Sequence, residues 1–209
     1  MEQTVQSLIQ TVDEADSAEK LVKAVRALAQ LQHEAAIPTL TTVLRYNNPG
    51  AAIAAVDGLI TLGKVTVPYL LENIDGYNYG ARAWATRVLA GIGDPRALEV
   101  LIDAATSDFS FSVRRGAVKG LGNLKWQNSL ETDIFPDLEK TFTTLASVAL
   151  DTEWVVRYAA IAGLQSFAIN QETLRIEVMK KLTELSAIET EFIVKTRILW
   201  ALENLQILR

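Results

Sequence analysis

Residues 81–97 read Ala81-Arg82-Ala83-Trp84-Ala85-Thr86-Arg87-Val88-Leu89-Ala90-Gly91-Ile92-Gly93-Asp94-Pro95-Arg96-Ala97. Ala85, Val88, Leu89 and Ile92 follow one another at offsets of three, one and three, which puts them on one stripe of an α-helix. The step after them punctuates the chain. Gly93 suits the left-handed conformation that closes a helix, Asp94 suits an amino-terminal cap, and Pro95 suits a first turn, where a missing N–H has no partner to lose.

The same pattern recurs along the chain. Leu28, Leu59, Leu89, Leu121, Leu164 and Leu202 are separated by 31, 30, 32, 43 and 38 residues. Four before them stand Ala24, Ala55, Ala85, Ala117, Ala160 and Ile198, and three after them stand Leu31, Leu62, Ile92, Leu124, Phe167 and Leu205. The residue just before each is compact: Ala27, Gly58, Val88, Gly120, Gly163 and Ala201. A period of this length holds two helices and two turns, so the expected fold is all-α, a right-handed α-solenoid of about six helical hairpin repeats. Shorter apolar patterns between the anchors supply the other helix of each hairpin, with Pro38, Pro68, Pro95 and Pro136 near their starts. No linker of low complexity divides the chain, so residues 1–209 read as a single solenoid with a longer repeat at about 122–165. That repeat combines an enlarged loop around Trp126 to Asp133 with a long helix from Ile134 to Leu150. Residues 1 to 18 read as the first helix and its turn.

Composition narrows the chemistry. Of the 209 residues 49% are apolar, the net charge is -5, cysteine is absent and His33 is the single histidine. There is no thiolate metal site, cysteine nucleophile, disulfide or histidine pair to consider. No metal is expected. No run of eighteen apolar residues occurs, and the amino terminus lacks the basic start and apolar core of a signal peptide. The expectation is a soluble, cytoplasmic protein without membrane insertion. No phosphate loop, paired-carboxylate motif or nucleophile elbow marks it as a kinase or hydrolase.

The repeat at residues 81–97 resembles the HEAT-like repeat of phycobilin lyases. More particular are Tyr77-Asn78-Tyr79-Gly80-Ala81-Arg82-Ala83-Trp84-Ala85 and Phe111-Ser112-Val113-Arg114-Arg115-Gly116-Ala117, which resemble the F-type subunit of the heterodimeric phycocyanobilin lyases of cyanobacteria. The resemblance implies a HEAT-like solenoid that works as a lyase with an E-type partner subunit. It also implies attachment of phycocyanobilin by a thioether to a cysteine of the phycocyanin α subunit, near phycobilisomes. Phycocyanobilin would be the substrate, with no tightly bound cofactor. The related isomerising lyases carry a His-Cys pair that this chain lacks, which favours attachment without a double-bond shift.

Thioether formation needs an electrophilic tetrapyrrole, a placed thiol and proton control, none of which requires a nucleophile on the lyase. The propionates of a bilin call for cations and its pyrrole N–H groups for a carboxylate. Two rows face away from the apolar stripe, lying two and six residues before each leucine. The first is Arg26, Asp57, Arg87, Lys119, Ala162 and Trp200; the second is Val22, Ile53, Ala83, Arg115, Tyr158 and Thr196. In a solenoid the second helices line a concave surface, so Asp57, Arg87, Arg115, Lys119 and Tyr158 are expected to share a groove. Residues 82–126 carry a net +3 and are accompanied by Tyr77, Tyr79, Trp84, Phe109, Phe111 and Trp126. Cations interleaved with rings suit a flat anionic ligand. The bilin-binding candidates are therefore Asp57, Tyr77, Tyr79, Trp84, Arg87, Arg115, Lys119 and Tyr158, while the catalytic residues are unassigned.

Plainer roles compete at several positions. Arg82, Arg114 and Arg157 share one repeat position and read as structural, bonding neighbouring repeats. Trp84 and Trp154 read as fillers between helices, although Trp84 also faces away from the stripe. Asp57 reads both as a surface partner of Arg87 and as an acceptor for bilin N–H groups. His33 reads as an exposed loop residue. Ile193, Val194, Leu199 and Trp200 are a candidate face for the E-type partner. A non-catalytic scaffold that binds phycobiliproteins is the rival function, and the acidic balance argues against nucleic acid.

Overall fold

The computed structural model describes residues 2–126 and 131–207, in which the regular elements are helical. They form two compact units, Met1–Ile92 and Gly93–Arg209. The first unit holds α1 (Glu2–Asp13), α2 (Ala18–Gln30), α3 (Ile37–Val43), α4 (Pro49–Leu62), α5 (Thr66–Glu72) and α6 (Tyr79–Ile92). The second holds α7 (Leu98–Ser107), α8 (Phe111–Gly122), α9 (Glu131–Val148), α10 (Trp154–Asn170), α11 (Arg175–Ile188) and α12 (Phe192–Ile207). Among the described residues α1 packs on α2, α3 on α4, α7 on α8, α9 on α10 and α11 on α12 as hairpins, and each unit stacks its helices in the manner of an α-solenoid. The aligned leucines lie on the even-numbered helices. In the first unit α2 packs on α4 and α4 on α6; in the second α8 packs on α10 and α10 on α12. Single 3-10 turns precede α3, α5, α7 and α11.

The core follows the sequence stripe. Leu28, Leu59, Leu89, Leu121 and Leu164 are fully buried, as are most of the alanines and Ile198 four residues before the leucines. Each such leucine contributes about 1.5–3 kcal/mol of transfer free energy. The edges of the pattern relax: Leu202 is half-buried and Leu31 exposed. Compact residues beside the leucines let neighbouring helices approach closely. A Cβ on Gly58 would stand 2.6 Å from that of Ala29, and one on Gly163 would stand 2.5 Å from the Val118 carbonyl oxygen.

The punctuation takes the expected form. Gly93 has φ 69°, and its carbonyl accepts from the Lys125 N–H at 2.8 Å. Asp94 is extended and buried; one carboxylate oxygen accepts from the backbone N–H and from Nε of Arg96, at 3.0 and 2.9 Å. Ser17 caps α2, Asn48 caps α4 with Pro49 behind it, and the Asn78 side chain accepts from the Ala81 N–H at 3.1 Å. Pro38 lies in the first turn of α3. Pro136 departs from expectation, because α9 begins at Glu131 and places it inside the helix. The Pro49–Glu72 stretch has the length and hydropathy of a membrane span. It is interrupted at Gly63, φ 74°, and supplies the first unit's core. Of the enlarged loop expected around Trp126 to Asp133, residues 127–130 lie outside the described residues, while Glu131 to Asp133 already belong to α9, which begins before the expected Ile134.

Candidate functional site

In the second unit an arginine-acid ladder fixes the turns that lead into the even-numbered helices. Arg114 donates to both carboxylate oxygens of Asp151, at 2.8 and 3.1 Å, and to the carbonyls of Asp108 and Phe109. Arg157 repeats this one hairpin later, gripping Glu189 at 2.8 and 2.9 Å and the carbonyls of Asp151 and Thr152. The structural reading of these two arginines is correct. Arg157 holds the Glu189 carboxyl below the usual carboxylate range, and Glu189 raises the arginine in turn. Each clamped turn delivers an exposed aromatic at the first residue of the next helix: Phe111, Trp154 and Phe192. Trp154 is thus an exposed residue rather than the filler expected of it. These aromatics stand ten residues before the aligned leucines, a periodicity visible in the sequence that a reading centred on the apolar stripe passes over.

The outward rows of α8, α10 and α12 place Arg115 and Lys119, then Tyr158 and Ala162, then Thr196 and Trp200. All but the half-buried Ala162 are exposed. These three helices contain Arg114, Arg115, Lys119, Arg157, Lys195 and Arg197 against one acid, Glu203. With Arg114 and Arg157 neutralised in the ladder, a surplus of cations remains. Like the exposed Lys195, Arg197 is missed by the sequence reading. It is 8% exposed, and its guanidinium lies 4.6 Å from the Trp200 ring centroid and 5.8 Å from that of Tyr158. One terminal nitrogen donates to Gln165 Oε1 at 2.7 Å, while the other, Nη1, is buried without a hydrogen-bond partner. Burial pushes this guanidinium below its ordinary value, against an opposing effect of Tyr158. Around it Ile193, Leu199 and Trp200 are exposed as expected, but Val194 is fully buried and leaves that candidate face.

In the first unit a loop is built around Asp75. Its carboxylate accepts from the N–H groups of Tyr77 and Asn78 at 2.8 and 2.9 Å and faces Arg45 at 3.6 Å. The hydrogen bonds from Asn78 and then Tyr77, with the charges of Arg45 and Arg82 behind them, hold this carboxyl below its usual range. Arg82 braces the loop through the Gly76 carbonyl at 2.9 Å, and Arg45 reaches the Asn73 carbonyl. The result is a pinned loop that presents Tyr77 at 99% exposure, with Tyr79 opening α6 and also exposed.

The remaining candidates of this unit are spread over its surface. Tyr79 and Trp84 line a cleft of about 300 Å³ together with Arg45, Tyr46 and Asn78. Asp57 lines a separate cleft of about 250 Å³ with Arg26, Gln30 and Ile53. The expected Asp57–Arg87 pair does not form among the described residues; Arg87 stands instead 5.8 Å over the ring of half-buried Trp84. His33 is half-buried rather than exposed, and its Nδ1 accepts from the Ala35 N–H to cap the turn before α3.

Two repeat families match this chain, HEAT repeats over residues 67–165 and the PBS lyase HEAT-like repeat over residues 21–46. Phycocyanin alpha phycocyanobilin lyase CpcF of a Synechocystis species is 55% identical, with 96% of this chain and 94% of the relative covered. Phycocyanobilin lyase subunit beta of a Nostoc species is 52% identical, with 93% and 96% covered. Among solved structures, the complex of CpcE and CpcF of phycocyanin lyase from Nostoc matches at a TM-score of 0.77 and 50% identity. That match covers 81% of this chain and 99% of the other.

Proposed function

This chain belongs to the family of F-type subunits of phycocyanobilin lyases, and we propose from that premise that it acts by holding and presenting a bilin. With an E-type partner it forms a heterodimeric lyase that attaches phycocyanobilin, through a thioether and without isomerisation, to a cysteine of the phycocyanin α subunit. The observation that carries the presenting role is the helix face of the second unit, cationic and aromatic, in a chain that holds no cysteine. The thiolate is supplied by the acceptor. The lyase contributes binding, orientation and exclusion of water, which suffices when the reacting carbon is already electrophilic.

Within the second unit we assign Arg115 and Lys119 to carboxylate recognition and Tyr158 to stacking on the tetrapyrrole. Within the first, Tyr77, Tyr79 and Trp84 supply aromatic contacts, Arg87 a cation beside Trp84, and Asp57 a carboxylate free of an ion pair among the described residues. Exposure of the polar candidates and the tyrosines supports this assignment. No tightly bound cofactor is needed, and the site of action is the cytoplasm beside the phycobilisome.

Reconstitution tests the reading. The chain is mixed with an E-type subunit, phycocyanobilin and the phycocyanin α subunit, and zinc-enhanced fluorescence of the denatured product is followed. A covalent adduct that requires both lyase subunits is expected; its absence refutes the lyase.

A further inference from the structure

Arginine does not deprotonate in proteins, so the buried Arg197 side chain keeps its charge. Its surroundings answer that charge incompletely. Gln165 takes one N–H, the faces of Tyr158 and Trp200 offer cation-π attraction, and no carboxylate pairs with it among the described residues. An unpaired buried charge is costly, and an apolar side chain of similar volume would serve packing better. At the same place in the repeat, five before the leucine, four of the other even-numbered helices use Ala54, Trp84, Gly116 and Ala159, and α2 carries Lys23, which is exposed and paired with Glu19 rather than buried. The guanidinium is therefore not a demand of the fold.

What covers it is also informative. Tyr158 and Trp200 are both partly exposed, Trp200 at 54%, on the face that carries Arg115 and Lys119. A group that displaces the indole from the guanidinium meets a donor nitrogen already stripped of water and an aromatic wall on either side. The complementary ligand is a carboxylate attached to a flat, conjugated body. A carboxylate accepts from Nη1, offsets the charge and leaves the rings to stack.

We propose that Arg197, Tyr158 and Trp200 form a carboxylate-binding site that anchors one propionate of the bilin. This inference rests on the bilin-lyase reading and adds to it a residue, Arg197, that positions the substrate. Loss of one charge-assisted, desolvated contact weakens binding by about tenfold to a hundredfold.

The test uses the heterodimer with the E-type subunit, titrated by absorbance with phycocyanobilin and with its dimethyl ester, in the native protein and in Arg197→Met. The native protein is expected to prefer the free acid. Arg197→Met is expected to cut that preference about tenfold or more, leave ester binding unchanged, and keep or raise Tm. An undiminished preference in the variant overturns the proposal. So does a fall in Tm with both ligands weakened equally, which makes Arg197 structural. A weaker heterodimer with the acid preference intact assigns the guanidinium to a carboxylate of the partner protein and overturns it too. If the native heterodimer binds neither ligand, the bilin-lyase reading itself fails, an outcome separate from the others.

Discussion

Arg157 and Glu189 show how single residues set the spacing of this protein. The pair belongs to a repeated device: the arginine clamps the carbonyls of its own turn and the acid of the next hairpin. Because the side chains are only 17% and 8% exposed, their two hydrogen bonds are largely shielded from water. Glu189→Gln leaves the guanidinium facing an amide and is expected to lower unfolding free energy by about 2 kcal/mol, measured by urea denaturation. The pH dependence has a definite sign. The folded-state value of Glu189 is depressed, so its contribution is present above the unfolded carboxylate value and lost as pH falls through the depressed one. The native protein is thus expected to lose stability below about pH 4.5 more steeply than Glu189→Gln; parallel curves in the two proteins would contradict the ladder's role.

At the scale of helices, the crossing of α8 on α10 depends on missing side chains. A Cβ on Gly122 would overlap the backbone of Gly163, and one on Gly163 would press on the Val118 carbonyl and on Leu145. Backbone cannot yield as a side chain can. Gly163→Ala is expected to cost about 1–3 kcal/mol through forced separation of the helices. Gly91→Ala is expected to cost less, because its new methyl meets the flexible end of Ile60 and alanine gains helix propensity. Thermal melts of both variants check the order.

The same scale shows which features a sequence discloses. The leucine and alanine columns were legible because burial on a helix imposes a period, and the stacked helical repeats follow from it. The arginine ladder was half legible, through the common position of Arg114 and Arg157. Its acids, Asp151 and Glu189, belong to turns whose register no apolar pattern reveals. Arg197 was illegible: its burial depends on Gln165 and Tyr158, 32 and 39 residues away, rather than on its own helix. Trp154 was misread because bulk in a sequence suggests core, whereas the first residue of α10 faces solvent.

Taken whole, the molecule separates two tasks. Small and leucine-rich positions build stacked hairpins, and the outward rows of the even-numbered helices carry the charge and the rings. A chain of net charge -5 that leaves Arg115 and Lys119 exposed and unopposed on α8 offers a local anion site. The double variant Arg115→Ala, Lys119→Ala is expected to weaken phycocyanobilin binding by about tenfold or more while Tm stays within a few degrees, since exposed charges contribute little to folding. Unchanged affinity would move the anionic contact to other residues.

The central claim is that this subunit presents the bilin without ever holding it covalently. Intact-mass measurement of every chain after a single round of reconstitution tests this directly. The mass of one phycocyanobilin is expected on the phycocyanin α subunit, only with the E-type partner present, and never on this chain. Bilin mass on this chain, or on the acceptor without the lyase subunits at a comparable rate, would contradict it.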